Sequence, residues 1–243
     1  MKKIFAICLM LMFSLSAGSA FAKQKKPPQR PSFKINQEIL KRETKEKRKL
    51  DEYERDEIKY TVLKKAYKGI TDEKNLMYAI ELMDDTIAEF SKEAIFGNNV
   101  TYYPIKVEFK DLSQINQSYA SYDALGWKKG AKLHILINEK HKDAPIEALC
   151  PLIAHEALHQ DEFNSLNEET YAWTYEAAVW EQMTEADPNV VKIDHPLVTR
   201  ENTLKKLFEK GGFTNKYIKK AVYSNEGYKN LPSRSPGFED DDI

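Results

Sequence analysis

The run Cys150-Pro151-Leu152-Ile153-Ala154-His155-Glu156-Ala157-Leu158-His159 decides how the rest of the chain is read. Its last five residues fit the pattern H-E-x-x-H. On a helix, residues i and i+4 lie one above the other, so His155 and His159 can reach one ion. Glu156 projects beside them and can touch a metal-bound water without being a ligand. Zinc lowers the pKa of such a water toward ~7, and a carboxylate in that place removes and relays its proton. Leu152, Ile153, Ala154, Ala157 and Leu158 give the helix a buried side. With five His in 243 residues, chance alone produces such a pentapeptide in roughly 1% of chains of this composition, so the motif is read as chemistry.

Two His and a water leave a tetrahedral zinc one ligand short. Downstream, Asn164-Ser165-Leu166-Asn167-Glu168-Glu169-Thr170-Tyr171-Ala172-Trp173 breaks the helix and starts another. An antiparallel helical hairpin results, with the first turns of the second helix facing back toward the two His. Glu168 and Glu169 compete for the third position. Ser165-x-x-Glu168 is a capping-box pattern, which turns Glu168 back toward the Ser165 amide. Glu169 is then free to face the metal, with the small Ala172 nearby where the helices approach closely. The geometry favours Glu169 over Glu168.

Upstream of the motif the periodicity changes. Ile105, Val107 and Phe109 alternate with Lys106, Glu108 and Lys110, which predicts a half-buried strand, and 132–138 (KLHILIN) predicts a second. Residues 113–130 read as a connecting loop or short strands. Asp143 and Pro145 mark a helix start, and Pro151 predicts either a kink within 144–162 or a new helix. A helix is expected over 165–186, stopped by Asp187-Pro188, and a last helical pair over about 197–210 and 214–224. Earlier, Thr71-Asp72-Glu73 opens a helix carrying Leu76, Ala79, Ile80, Met83, Ile87 and Phe90 at spacings of three and four, ended by Gly97-Asn98-Asn99. Residues 71–230 are therefore expected to form one mostly helical domain with a small sheet.

The flanks differ from this body. Residues 1–22 (MKKIFAICLMLMFSLSAGSAFA) have the layout of a secretory signal peptide, with Ala20-Phe21-Ala22 as the cleavage site. Export to the periplasm or the medium is expected. No later segment has enough uninterrupted apolar residues to span a membrane. The whole chain holds 37 Lys+Arg against 38 Asp+Glu. Cleavage removes two lysines and Cys8, leaving Cys150 without an intrachain partner and ruling out a disulfide scaffold. Residues 23–70 carry 16 basic and 8 acidic side chains, against 19 and 30 in 71–243. They read as a Pro-rich leader and a mostly solvated, charged helical arm over 36–68 that docks only at its C-terminal end, suited to an anionic envelope surface. The acidic body excludes nucleic acid as its main partner. Residues 231–243 read as a disordered acidic tail.

H-E-x-x-H followed by a helix that carries a glutamate resembles the gluzincin branch of the zincin metallopeptidases. The resemblance covers about residues 130–182. It implies an α+β, zincin-like fold, with Zn2+ held by His155, His159 and Glu169 and with Glu156 as general base. The implied reaction is hydrolysis of a peptide or protein substrate. It also implies an edge strand before the active-site helix that binds extended substrate, a place occupied here by His134–Asn138. The metzincin pattern, with a further His, is absent. The alternative is a non-catalytic zincin-like binding module acting in the cell envelope through its charged arm. Tyr171 and Tyr175 are candidates for donating to an oxyanion, and His195 for the same work or for orienting a ligand. Glu176 is a candidate hydrogen-bond partner for a ligand His. His134, His141 and Cys150 are read as bystanders.

Overall fold

A computed structural model describes residues 30–239, apart from 85, 99, 130, 131, 161 and 162. The signal peptide expected over 1–22, the leader up to 29 and the last four acidic-tail residues lie outside the described residues. The chain is α+β and mostly helical, with one three-stranded sheet.

Strand β1 (Lys106–Lys110) runs parallel to β3 (Lys132–Asn138), with Val107 opposite Ile135 and Phe109 opposite Ile137. β2 (Ala124–Lys129) runs antiparallel on the other side of β3, with Gly126 opposite Ile135. The order is β1-β3-β2, so β3 is the central strand and the edge-strand place implied for His134–Asn138 belongs to β2. The near-continuous apolar run of β3 fits this, since a central strand is covered on both sides. The segment 113–130 resolves into two short 3₁₀ turns and then β2.

Helix α5 (Ile146–Glu156) lies against the sheet and carries the motif. It runs unbroken through Pro151, with Pro145 rather than Asp143 at its N-cap, and ends at Glu156. His159 therefore sits in the turn that follows, not on a helix continuing to residue 162. Ala148, Leu149, Cys150, Leu152, Ile153 and Ala154 are all buried around it. α6 (Leu166–Ala186) returns alongside as the second arm of the hairpin. Ser165 caps it through the Glu168 amide at 3.1 Å, and Asp187 ends it. α7 (Pro196–Lys210) and α8 (Lys216–Tyr223) close the far side, near the expected bounds.

The first half departs further from the periodicity. The charged arm is two helices, α1 (Pro31–Glu46) and α2 (Glu52–Ala66), folded as a hairpin. Lys47 adopts a left-handed conformation at φ 54° and ends α1, and Asp51 with Glu54 forms a full capping box that restarts the chain as α2. The arm docks at its C-terminal end, as expected. Leu63, Tyr67 and Ile70 belong to the same buried cluster as Leu76, Ile80, Leu149 and Ile153, and Ile35 of α1 joins that cluster. The expected helix after residue 71 is likewise two, α3 (Lys74–Glu81) and α4 (Glu89–Phe96). Between them Thr86 folds back, donating to the Met83 carbonyl at 2.7 Å and accepting from the Ala88 amide at 3.0 Å.

The tail also differs from its composition. Through Glu239 it is pinned along the start of α6. Pro232 and Ser233 carbonyls accept from the Leu166 and Asn167 amides at 2.9 and 3.2 Å. Ser235 is buried. A helix N-terminus has amides with no intrahelical partner, and here another part of the chain satisfies them. Among the described residues no helix is long and apolar enough to cross a membrane.

Leu63→Ala removes a fully buried side chain and is expected to cost about 2–5 kcal/mol in urea unfolding. Leu40→Ala, at an exposed position of α1, is expected to change stability by less than about 0.5 kcal/mol. Equal effects would show that α2 is not part of the core.

Candidate metal centre

His155 and His159 point their rings at the start of α6, with ring centroids 5.3 Å apart. His155 Nε2 lies 3.7 Å from Glu169 Oε2, and His159 Nε2 lies 3.7 Å from Glu169 Oε1. These distances are too long for hydrogen bonds. They are close to the separation of two atoms bound to one tetrahedral zinc at bonds of 2.0–2.2 Å, which is about 3.3–3.6 Å. One ligand atom from each of the three residues falls within 4.8 Å of the others. Glu169 Oε2 is buried with no hydrogen-bond partner. An orphaned carboxylate oxygen is costly to bury, and two imidazoles with one carboxylate are a donor set that suits zinc. The residues therefore fit a divalent metal.

The other ring nitrogens are each taken by a carboxylate. His155 Nδ1 donates to Glu176 Oε2 at 2.9 Å, and His159 Nδ1 donates to Glu168 Oε1 at 2.8 Å. With Nδ1 donating to a carboxylate, Nε2 is the nitrogen each ring has left for an ion. The expectation for Glu176 matches this geometry. Glu168 departs from its expected role. It does not complete the capping box, because Asn164 Oδ1 already accepts from the Ser165 amide at 2.7 Å. Its carboxylate is spent on His159, and on Ser235 Oγ at 3.0 Å. Asn164 also donates to Glu169 Oε1 at 2.7 Å, which fixes that carboxylate.

Glu176 is fully buried and paired with Arg200, which also reaches Glu201 at 2.7 Å and Asp123 at 3.1 Å. Burial alone raises a carboxylate, but the charges of Arg200 and His155 overcome this and hold Glu176 below the ordinary range. Burial, then the charge of Glu176, push Glu201 well above it. Asp123 also accepts from His141 Nε2 at 2.7 Å.

Glu156 is buried beside the two imidazoles, and burial raises its pKa. Gly126 of β2 lies directly above it. A Cβ at that position would come within 3.4 Å of Glu156 Oε2 and 3.9 Å of His159 Cβ. The lack of a side chain there leaves space over the carboxylate. The outer edge of β2 pairs with no strand among the described residues.

The tyrosines sort differently from expectation. Tyr175 turns away and donates to the Ile87 carbonyl at 2.7 Å. Tyr171 stacks on Tyr175 and packs against Phe238. The phenol that reaches the centre is Tyr228, in the 3₁₀ turn Glu226–Tyr228. Burial comes first, then the charge of Glu169 and a hydrogen bond to it, in holding Tyr228 well above its ordinary pKa. Trp173 Nε1 donates to its oxygen at 3.2 Å. Nothing local marks Tyr228 among 13 tyrosines, since it lies far along the chain from the motif. His195 caps α7, its Nδ1 accepting from the Leu197 amide at 3.1 Å, and stays outside the centre. His141 and Cys150 are buried elsewhere, and His134 pairs in register with Trp127.

Comparison with protein-family models, curated proteins and solved structures finds no match.

Burial works to lower the His159 pKa, but the hydrogen bond to Glu168 and the charges of Glu169 and Glu156 prevail and raise it to about 9. A metal must displace that proton from Nε2. Zinc affinity is therefore expected to rise about tenfold per pH unit below pH ~9 and to level above it. Calorimetric titration in buffers of different ionisation enthalpy is expected to show about one proton released at pH 7. Release of none would contradict the assignment. In the metal-free protein the sign is reversed. The raised pKa stabilises the fold fully below about pH 6.5 and that contribution disappears as pH rises through about 9.

Proposed function

We propose that this chain is an exported, zinc-dependent metallopeptidase of zincin-like fold that hydrolyses peptide bonds. The observation that carries the proposal is the Glu169 carboxylate facing both Nε2 atoms, its buried Oε2 without a hydrogen-bond partner, with Glu156 beside them. A site built only to hold metal has no use for a buried base in that position. The sheet order supports the fold half of the reading: an antiparallel edge strand, β2, lies beside the motif helix.

His155, His159 and Glu169 would hold the ion. Zinc in such a site supplies Lewis acidity to a water and to a carbonyl oxygen. Glu156 takes the proton of the attacking water and passes it to the leaving amine. Tyr228 turns its hydroxyl proton from Glu169 to the oxygen that becomes negative at the tetrahedral centre, while its own oxygen keeps accepting from Trp173 Nε1. An extended peptide pairs with the free edge of β2, and Gly126 lets its backbone pass close to Glu156.

Glu156→Gln is expected to bind zinc as the wild type does and to lose about 10²–10⁴-fold in hydrolysis of a quenched fluorescent peptide pool. Tyr228→Phe is expected to lose about 10²–10³-fold in kcat with a smaller change in KM. Chelation should abolish the activity and zinc restore it. Zinc binding by the wild type with no hydrolysis of any peptide in the pool would favour the non-catalytic module instead.

A further inference from the structure

The segment from Glu226 to Glu239 reaches the centre through side chains as well as backbone. Ser235 Oγ donates to Glu168 Oε2 at 3.0 Å, while Glu168 Oε1 accepts from His159 Nδ1 at 2.8 Å. Ser235 Oγ lies 2.9 Å from Ser165 Oγ, and Ser165 Oγ accepts from the Glu168 amide at 3.1 Å. The hydroxyl protons have one consistent arrangement. Ser165 donates to Ser235, Ser235 donates to Glu168, and both Ser165 and Ser235 are buried.

Further contacts hold the segment in place. The Pro232 and Ser233 carbonyls cap the Leu166 and Asn167 amides. Phe238 packs on Tyr171 with ring centroids 5.6 Å apart, and its carbonyl accepts from Asn167 Nδ2 at 3.4 Å. The same segment brings Tyr228 to Glu169.

We infer that the segment from Glu226 to Glu239 is a working part of the metal centre, in which Ser235 is a positioning residue that sets His159 through Glu168. This rests on the metal-binding reading of His155, His159 and Glu169. A carboxylate held by one hydrogen bond can swing about its side-chain torsions. Held from both oxygens, it keeps the His159 proton on Nδ1 and the Nε2 lone pair aimed at Glu169. The segment thereby ties two of the three ligands, and its docking completes the site.

The test uses the full chain and three variants, Ser235→Ala, Ser235→Thr and Ser235→Cys. Zinc affinity is read by chelator competition and the coordination sphere by the visible spectrum of the cobalt(II)-loaded protein. Imidazole ¹⁵N shifts of the metal-free protein, recorded at a pH where the His159 ring is neutral, report its tautomer. Ser235→Ala is expected to weaken zinc binding about 10- to 100-fold, to alter the cobalt spectrum and to mix the His159 tautomers. Ser235→Thr keeps the hydroxyl and is expected to stay within about threefold of wild type. Ser235→Cys, a weak donor of similar size, falls between them and carries the test if the alanine variant does not fold. If wild type binds zinc and Ser235→Ala or Ser235→Cys binds it equally well with an unchanged spectrum, the role of Ser235 is refuted while the metal reading stands. If wild type binds no zinc, both fall.

Discussion

The two imidazoles can serve one ion only if both Nε2 lone pairs face the same point, and that depends on where their other protons go. Glu176 takes the Nδ1 proton of His155 and Glu168 takes that of His159. Each carboxylate is itself held. Arg200 pairs with Glu176, and Ser235 donates to Glu168. The rest of the fold can be read as what is needed to keep these carboxylates buried and charged. An unpaired carboxylate at the full burial of Glu176 would cost several kcal/mol. Arg200 offsets that cost, and its position is set in turn by Asp123 just before β2 and by its own place on α7.

This arrangement draws on elements far apart in the chain. α5 supplies His155 and Glu156, and the turn after it supplies His159. α6 supplies Glu168, Glu169 and Glu176 at spacings that place all three toward the motif. α7 supplies Arg200, β2 covers Glu156, and the tail supplies Tyr228 and Ser235. The α1–α2 hairpin contributes to the core rather than to the centre, through Leu63 and Tyr67. Such a site is sensitive to packing far from the chemistry, because its buried charges tolerate no loss of a partner.

Much of this was legible in local patterns. The apolar run of β3, the Ser165 cap and the Asp187-Pro188 stop of α6 are each written in a few adjacent residues. The argument that freed Glu169 to face the imidazoles reached the residue that faces them, although its premise about Glu168 failed. The amide that a capping box needs was occupied by Asn164, one residue away. The break between α1 and α2 was hidden because Lys47, not Gly, takes the left-handed position in a run of charge. The order of the strands was hidden because Gly126 and Trp127 give β2 a weak signal, and only pairing shows that β3 lies between its neighbours. The docking of the tail and the approach of Tyr228 depend on contacts 55 to 71 residues apart in sequence, such as Asn167 with Phe238 and Trp173 with Tyr228. Composition alone describes that segment as solvated, since the amides that need its carbonyls belong to another helix.

The central claim is that His155, His159 and Glu169 hold one zinc ion. Anomalous diffraction at the zinc edge from crystals of the zinc-loaded protein tests it most directly. The account predicts a single strong peak bonded to His155 Nε2, His159 Nε2 and Glu169 at about 2.0–2.2 Å. A peak held by Glu168 in place of Glu169, or no peak between the two imidazoles, would contradict it.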